Sequence, residues 1–434
     1  MKIQSPPGMR DFYPEDMRLE RWLFDNWRQV SQAFGFCEYD GPIFEFLDLY
    51  TLKSGEGIVS ELFTLEDRGG RHFAIRPEMT PTLARMVAAR ANTLPRPIKW
   101  FSIPRMCRAE KPQRGRLREF FQWNIDILGS QDPLSDAEVI ACAAAFFERI
   151  GVGPDEVEIR VNSREVATAA LASLGIAPQA SLRAFELIDR ADRLSPDEFA
   201  KAWNDQYGEV IAADDLRVFL DRADRDHCLA LAEQAGPEGR HAADLHRTLW
   251  QRLAEFGVAG FCRFDLKTVR GLAYYTGAVF EAHARHGSLR ALLGGGRYDD
   301  LTGLLDGPRV PGVGFGMGDA PVIEFLRELG RLPELGDKLD VFLIDADAEL
   351  LPRVLELAGQ LRRAGLQVDF SYKRQSVGKQ FKQAAARGAR YAIVVGNELT
   401  QRGELTVKNL QTGRQVSVAV ERLIERPAAA LSEI

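Results

Sequence analysis

Cysteine is scarce in this chain, and the cysteines present are scattered. Among 434 residues there are five, with no two in a Cys-x-x-Cys pair, and the six histidines lack the spacing of metal ligands on one helix. We therefore predict no metal site built from these side chains, and we expect reduced thiols that pack against apolar neighbours. The cysteines are Cys37, Cys107, Cys142, Cys228 and Cys262.

Several short motifs of familiar enzymes are also missing. The sequence has no G-x-x-x-x-G-K-[ST] phosphate loop, no H-E-x-x-H helix and no G-x-S-x-G turn. It has no internal repeat and no low-complexity tract. A Ser/His/Asp triad stays open, although nothing points to one. If the protein is an enzyme, we expect its chemistry to depend on positioning and electrostatics.

Long apolar runs are absent too. The longest, residues 139–147, falls short of the ~18 residues of a membrane span and predicts a buried helix instead. The N-terminal residues lack the apolar segment of a secretory signal. We therefore expect a cytoplasmic protein that does not enter membranes.

Positive charge is unevenly distributed in a chain whose net charge is −6. Residues 361–390 hold eight Lys/Arg against Asp369 alone, and residues 101–120 hold six against two glutamates. Two basic regions on an acidic protein suggest a polyanion contacted at two places. The alternative, two solvated helix faces, stays open on charge alone.

The hydrophobic pattern divides the chain into blocks. Helices and β-rich runs alternate at first, a helical and polar stretch follows, and strand signals then return, which indicates an α+β domain with a helical insertion. After a Pro/Gly-bearing linker, strand–helix alternation predicts a small parallel or mixed α/β domain. The predicted bounds are 1–165 and 259–330 for the first domain, 166–258 for the insertion and 338–434 for the last domain.

Residues 101–129 carry the richest polar pattern. They predict a strand, a turn-rich loop and a second strand, in which a period of two puts alternating residues on one face. A strand face with an arginine, an amide and a carboxylate is costly to bury unless a polar ligand meets it, although such a face can also be solvent-exposed. The face comprises Arg118, Phe120, Gln122, Asn124 and Asp126.

Two further stretches suggest a cavity. Glu78 follows a strand and precedes a helix near Thr80, where it is either a first-turn charge or a side chain in the same cavity as Gln122. The run "VPGVGFGMGDAP" has glycines on one strand face, which leaves a flat shelf for a ring or for a neighbouring backbone. In "TVRGLAYYTGAVFEAH", Arg270 stands close to two adjacent tyrosines between glycines.

Together these motifs resemble the histidyl-tRNA synthetases, a family of class II aminoacyl-tRNA synthetases. "PPGMRDFYPED" looks like the family's N-terminal signature, "FGFCEYDGPIFE" like class II motif 1, and residues 101–129 like motif 2. "RGLAYYTG" and "GGGRYDDL" look like the two histidine-family signatures, and the former is highly specific. The resemblance covers nearly the whole chain.

The resemblance implies an α+β fold: a class II core of antiparallel sheet flanked by helices, with a helical insertion and a C-terminal α/β anticodon-binding domain. It implies a homodimer that activates L-histidine with ATP and Mg²⁺ and transfers it to the 3′ end of tRNA(His). The implied catalytic residues are Arg108 and Arg270. The implied histidine-binding residues are Glu78, Met79, Thr80, Arg108, Gln122, Asp126, Arg270, Tyr274 and Tyr275. The implied ATP-binding residues are Arg108, Glu110, Arg297 and Gly316, and those for tRNA are Lys111, Gln113 and Arg116.

Two positions depart from the family's pattern. Class II motif 3 carries an arginine in the first helical turn after its glycine strand, but here Pro321 occupies that place, and Ala273 replaces an aspartate. ATP binding is then expected to use a rearranged set of cations, including Arg297. The alternative function is a non-catalytic, histidine-sensing regulatory subunit of ATP phosphoribosyltransferase, which is expected to lack the C-terminal domain and to have eroded signatures.

Overall fold

The structure is a computed structural model that describes residues 4–54, 62–191, 194–270, 274–287, 289–300, 302–305, 307–336, 339–373 and 375–434. The chain divides into two compact units, Met1–Pro333 and Glu334–Ile434. The division falls inside the linker that the sequence predicts, of which residues 337–338 lie outside the described part. In the described residues, no helix is both long and apolar enough to cross a membrane.

The main sheet of the first unit has nine strands in the described residues. They are β1 (Cys37–Glu38), β5 (Ile98–Ser102), β6 (Arg105–Cys107), β7 (Glu119–Leu128), β8 (Val157–Ser163), β9 (Cys262–Phe264), β10 (Ala278–Ala284), β11 (Leu293–Tyr298) and β12 (Gly312–Gly318). The order is β1-β5-β7-β12-β11-β10-β8-β9, and β6 pairs with β7. The predicted antiparallel core is confirmed, although the outer pairs β1–β5 and β8–β9 are parallel.

Helices pack against this sheet, among them α1 (Pro14–Ala33), α4 (Pro133–Arg149) and α11 (Asp319–Glu328). The run 139–147 lies in α4 and is largely buried, as predicted, and Asp132 begins the helix by accepting a hydrogen bond from the Leu134 N–H. Trp27 of α1 stacks on Trp123 of β7 at 5.9 Å between ring centroids. The apolar core therefore lies on the face of β7 opposite its polar residues.

The stretch between β8 and β9 is helical, as predicted, and is called the helical insertion below. Its helices are α5 (Arg164–Ser173), α6 (Ser181–Arg190), α7 (Pro196–Tyr207), α8 (Ala213–Arg222), α9 (Arg225–Gln234) and α10 (Pro237–Glu255). They surround a separate apolar cluster that includes Phe185 and Trp203. Leu249 and Leu253, near the end of α10, belong instead to the core of the main sheet. The predicted domain bounds stay predictions.

A small sheet lies beside the main one in the first unit. It consists of β2 (Phe44–Phe46), β3 (Thr64–Glu66) and β4 (His72–Ile75) in the order β2-β4-β3. Two helices follow its strands along the chain, α2 (Asp48–Ser54) and α3 (Thr80–Arg90). Pro81 stands in the first turn of α3, where its fixed φ and missing N–H are compatible with a helix start.

The second unit is a mixed α/β domain. Its strands are β13 (Val341–Asp345), β14 (Val368–Phe370), β15 (Tyr391–Val395), β16 (Glu404–Asn409) and β17 (Gln415–Ala419), in the order β14-β13-β15-β16-β17. Its helices are α12 (Leu351–Arg363), α13 (Val377–Ala386), α14 (Asn397–Arg402), α15 (Val420–Glu425) and α16 (Pro427–Ser432). The predicted strand–helix alternation is confirmed as far as β15. The antiparallel hairpin β16–β17, which follows, was not predicted from the sequence.

Candidate active site

A cavity of about 220 Å³ opens on the polar face of the main sheet. It gathers side chains from strands, turns and loops that are far apart in sequence. Ten of the predicted site residues line it: Glu78, Thr80, Arg108, Arg116, Gln122, Asp126, Arg270, Tyr274, Tyr275 and Gly316. Residues of the basic run 101–129 and of the tyrosine-bearing stretch 269–284 therefore line one cavity.

β7 supplies one wall of the cavity. Phe120, Gln122, Asn124 and Asp126 alternate along the strand and all line the cavity, as the period of two predicts. Arg118 precedes the strand, and its Nε donates to the Glu110 carbonyl oxygen at 3.0 Å instead. The polar face therefore meets a cavity rather than bulk solvent.

The glycine strand β12 lies beside β7 and forms the floor. Gly314 pairs with Asp126, and Gly316 with Asn124. A Cβ on Gly314 would collide with the Asp126 carboxylate, and a Cβ on Gly316 would lie 2.8 Å from Cδ of Gln122. The space that the sequence analysis assigned to a bound ring or a backbone is thus occupied at these positions by the chain's own polar side chains.

Asp126 is buried at one end of the cavity and accepts a hydrogen bond from Tyr298. The Tyr298 hydroxyl lies 2.5 Å from Oδ1 of Asp126. Burial raises the pKa of Asp126 to about 7, and the hydrogen bond from Tyr298 limits the rise. Tyr298 was not among the predicted site residues, although the period of two along β11 places it on the same face as Gly294 and Gly296.

Tyr274 and Tyr275 lie beside this end of the cavity. Their ring centroids are 4.7 Å apart, and the Tyr274 hydroxyl donates to Oε2 of Glu78 at 3.2 Å. Burial raises the pKa of both tyrosines, so both hydroxyls keep their protons. Glu78 precedes α3 and lines the cavity, which favours the second of its two predicted roles.

Arg270 enters the cavity from the segment before β10. Its guanidinium forms an ion pair with Glu281, and Oε2 of Glu281 lies 3.0 Å from Nε2 of His283. Burial works to raise the pKa of Glu281, but the charge of Arg270 and the contact with His283 lower it to about 2. Glu281 was not among the predicted site residues. Ala273 lies outside the described residues.

Two more arginines reach the cavity from the motif 2 run. Nε of Arg108 donates to the Pro77 carbonyl oxygen at 2.9 Å, and its guanidinium lies 5.2 Å from the Phe120 ring centroid. Arg116 forms an ion pair with Glu110. These contacts fix both cations at the cavity and leave donors of Arg108 available to a ligand.

The structure does not bring Arg297 into the cavity. Its guanidinium lies on the opposite face of β11, where it forms a buried ion pair with Asp136 at 2.5 Å and donates to Oγ of Ser135 at 2.9 Å. We therefore do not retain Arg297 as an ATP ligand. The physical reason is the strand's own period of two, since Gly296 and Tyr298 take the cavity face.

Four other predicted residues do not line the cavity among the described residues. Met79 is buried beneath it, with an exposure of 1%, and Glu110 is engaged by Arg116. Lys111 and Gln113 lie on the loop outside, where Gln113 accepts a hydrogen bond from Arg290. The cavity therefore does not support the predicted contact of Met79 with histidine or of Glu110 with ATP, whereas the predicted tRNA contacts of Lys111 and Gln113 would lie outside it.

The start of α11 completes the cavity without a cation. Ala320 and Pro321 line it, while the Asp319 carboxylate accepts from the Phe121 N–H at 3.0 Å and pairs with Arg10. Arg327 lines a different cavity and pairs with Glu324. Pro321 thus stands at the turn where the family's pattern places an arginine.

An antiparallel sheet with a glycine floor, a polar strand face and converging arginines defines a class II aminoacyl-tRNA synthetase core. The sequence model described as Histidyl-tRNA synthetase matches residues 8–320, and that described as Anticodon binding domain matches residues 338–427. The chain belongs to the histidyl-tRNA synthetase family.

Individual proteins of this family are similar to the chain over nearly its whole length. A histidine–tRNA ligase of Opitutus terrae is 39% identical over 425 residues, which cover 97% of each chain. The chloroplastic/mitochondrial histidine–tRNA ligase of Arabidopsis thaliana is 38% identical over 421 residues, 97% of this chain and 86% of the plant protein. The crystal structure of histidyl-tRNA synthetase from Nostoc sp. PCC 7120 superposes with a TM-score of 0.81 at 27% identity and covers 100% of both chains.

Proposed function

We propose that this chain joins L-histidine to the 3′ end of tRNA(His), using ATP to form histidyl-adenylate in the cavity on the main sheet. The observation that carries the proposal is the mixed lining of that cavity. It holds a buried carboxylate, Asp126, hydrogen-bonded to Tyr298, together with the guanidinium groups of Arg108, Arg116 and Arg270. A polar side chain and an anionic phosphate therefore each find complementary groups.

The imidazole of histidine binds between Asp126 and Tyr275 in this proposal. Tyr298 occupies one carboxylate oxygen of Asp126, which leaves the other to accept an imidazole N–H. The Tyr275 oxygen accepts hydrogen bonds from Tyr274 and Arg270, and the Tyr275 hydroxyl proton is donated to the second ring nitrogen. Glu78, Thr80 and Gln122 supply oxygens for the α-amino group, since all three line the same cavity.

Adenylate formation then needs no protein nucleophile. A carboxylate oxygen of histidine attacks the α-phosphorus, the bond to the leaving oxygen breaks, and pyrophosphate departs with that electron pair. Negative charge spreads over the phosphate oxygens as the two anions approach. Arg108 and Arg270 stabilise that charge by charge-assisted hydrogen bonds from planar guanidinium groups. In the second step, a ribose hydroxyl of the tRNA attacks the acyl carbon, and AMP leaves.

ATP enters this cavity as its magnesium complex. Mg²⁺ is often held mainly by substrate phosphates, with few protein ligands. Among the described residues, no group of three metal-ligating side chains is found. When bound, Mg²⁺ neutralises phosphate charge. Gly316, which the sequence predicts to contact the nucleotide, lines the cavity next to the Gln122 side chain.

The tRNA contacts both basic regions in this proposal. Lys111, Gln113 and Arg116 on the motif 2 loop meet the acceptor end, next to the cavity. The second unit carries two exposed cations on α13, Lys379 and Lys382, and Arg374 lies outside the described residues. Tyr372, 86% exposed, adds an aromatic face of the kind on which unpaired bases stack.

The protein forms a homodimer through the small three-stranded sheet. Ile43, Phe44 and Phe46 are 57%, 50% and 53% exposed on or beside β2, which follows the motif 1 segment. An exposed apolar group of this kind favours burial against a second copy. We expect Phe46→Glu to halve the mass measured by sedimentation, whereas Val218→Glu, at a similarly exposed site in the insertion, leaves it unchanged. A monomeric wild-type protein would contradict this assignment.

The regulatory-subunit alternative is not favoured. The chain retains "RGLAYYTG" and a C-terminal segment that matches the anticodon-binding family. We infer a cytoplasmic enzyme, with the catalytic core, insertion and anticodon-binding domain bounded as the sequence predicts.

Amino-acid-dependent exchange between ATP and pyrophosphate tests the function. We expect histidine alone among the standard amino acids to drive exchange. A site built to bond a polar side chain rejects analogues that lack it by ~10⁴-fold or more. If the folded protein binds histidine without exchange, the regulatory alternative holds instead.

A further inference from the structure

Arg270 has a backbone conformation that an arginine does not prefer. Its φ is +51°, which among the described residues is the only positive φ outside glycine. A Cβ is crowded in this left-handed region, so the conformation persists only where neighbours hold it. The neighbours of Arg270 therefore determine where its guanidinium stands.

Arg164, the first residue of α5, holds both ends of the segment that carries Arg270 and the two tyrosines. Its Nη2 donates to the carbonyl oxygen of Arg270 at 3.1 Å. Its backbone N–H donates to the carbonyl oxygen of Gly277 at 2.9 Å. Arg164 itself is buried and does not line the cavity.

The helical insertion determines in turn where Arg164 stands. The guanidinium of Arg164 lies 4.9 Å from the ring centroid of Phe185 on α6. Phe185 is buried in the insertion's apolar cluster. Leu266 and Val269, which precede Arg270 in the chain, are buried in that same cluster. Packing inside the insertion thus constrains Arg270 at two points. Arg164 holds its carbonyl oxygen, and Val269, the residue before it, is buried in the insertion's apolar cluster.

We propose that Arg164 is a positioning residue for Arg270 and that through it the helical insertion sets the geometry of the cavity. This inference rests on the proposed role of Arg270 at the α-phosphate. Arg164 touches neither histidine nor ATP in this scheme. It keeps the Arg270 backbone in its left-handed conformation, so that the guanidinium meets the phosphate oxygens. A misplacement of ~1 Å can lower a rate by ~10²-fold.

The first test is Arg164→Met, which keeps the aliphatic stem and removes the donors. We expect single-turnover formation of histidyl-adenylate to slow by about 10- to 100-fold. The histidine KM stays within about twofold, because the backbone bond to Gly277 holds the tyrosine end in place. Arg164→Lys recovers part of the rate, since a cation that can donate a hydrogen bond remains over Phe185, although it lacks the planar fork of a guanidinium.

A double-mutant cycle separates positioning from general damage. If Arg164 acts through Arg270, Arg164→Met slows Arg270→Ala by less than about twofold. Fully additive losses, or an Arg164→Met rate equal to that of wild type, overturn the inference. If Arg270→Ala itself reacts at the wild-type rate, the proposed role of Arg270 fails first.

Two further variants guard against misfolding. Phe185→Leu leaves every donor of Arg164 intact and is expected to lower the same rate by about two- to fivefold without changing the histidine KM. Arg217→Met is the matched control, because Arg217 also lies over a ring, that of Phe199 at 5.2 Å, and donates to a carbonyl oxygen within the insertion. An equal loss of rate in this control would refute a specific role for Arg164.

Discussion

Replacing Arg270 with alanine removes one of the arginines that face the reacting phosphate. We expect histidyl-adenylate formation to slow by ~10²–10³-fold, or ~2.7–4 kcal/mol, the usual loss for one transition-state donor. The loss falls on kcat rather than on the histidine KM, because the charge at phosphorus develops only as the carboxylate attacks. Single-turnover rates at saturating histidine and ATP measure it directly.

The structure adds a stability cost to this change. Arg270 and Glu281 form an ion pair whose side chains are 23% and 18% exposed. Removing one partner of a fully buried pair costs ~3–5 kcal/mol, and the partial exposure here reduces that cost. His283 also remains as a partner, 3.0 Å from Glu281. We therefore expect a lower melting temperature for Arg270→Ala, with a native circular dichroism spectrum.

A second substitution separates stability from chemistry. Arg270→Ala combined with Glu281→Gln leaves no uncompensated carboxylate, so stability should recover while adenylate formation stays slow. Arg270→Lys should recover little rate, because a point charge does not reproduce a planar fork across two phosphate oxygens. If the double variant regains the wild-type rate together with its stability, the role of Arg270 is structural and the mechanism above is wrong.

Two further predictions follow from other parts of the chain. Ending the chain at Pro333 removes the second unit and should leave adenylate formation measurable. It should impair tRNA charging, because salt-sensitive phosphate contacts are lost. Equal charging by the full chain and the shortened chain at several salt concentrations would refute the role of the second unit in tRNA binding. The pKa of Asp126 is raised to about 7 in the folded protein, so raising the pH through about 7 ionises it. The carboxylate is the form that accepts the imidazole N–H, and wild type should therefore bind histidine more tightly as the pH rises. The ratio of the Asp126→Asn histidine KM to the wild-type KM should rise across that range. Because the Tyr298 hydroxyl lowers the pKa of Asp126, Tyr298→Phe should move the midpoint to higher pH; an unchanged midpoint would contradict the hydrogen bond's role.

The strand faces were predictable from sequence because a period of two is a local property. It placed Gln122, Asn124 and Asp126 on one face of β7, and it placed the glycines of β12 together on one face of that strand. The same period, applied to β11, separates Tyr298 from Arg297. The misassignment of Arg297 was therefore avoidable, and Tyr298 could have been found by the same rule.

Contacts that depend on register and packing were not predictable. Tyr298 and Asp126 are 172 positions apart, on strands separated by β12, so their hydrogen bond requires the sheet order. The ion pair of Arg270 with Glu281 depends on how the segment before β10 packs in the folded protein. The hydrogen bond from Arg164 to the carbonyl oxygen of Arg270 depends on the positive φ of Arg270, which no pattern of residue types predicts.

The missing motif 3 arginine now has a definite structural context. Pro321 faces the cavity close to the motif 2 loop, where a Cβ on Gly115 would lie 3.9 Å from Cα of Pro321. Arg116, the next residue on that loop, enters the same cavity, whereas Arg327 lies elsewhere. Cations therefore approach the cavity from the loop instead of from the helix. We expect nucleotide binding to depend on this loop, because α11 presents Ala320 and Pro321 to the cavity where the family's pattern has a guanidinium, and its Asp319 is paired with Arg10.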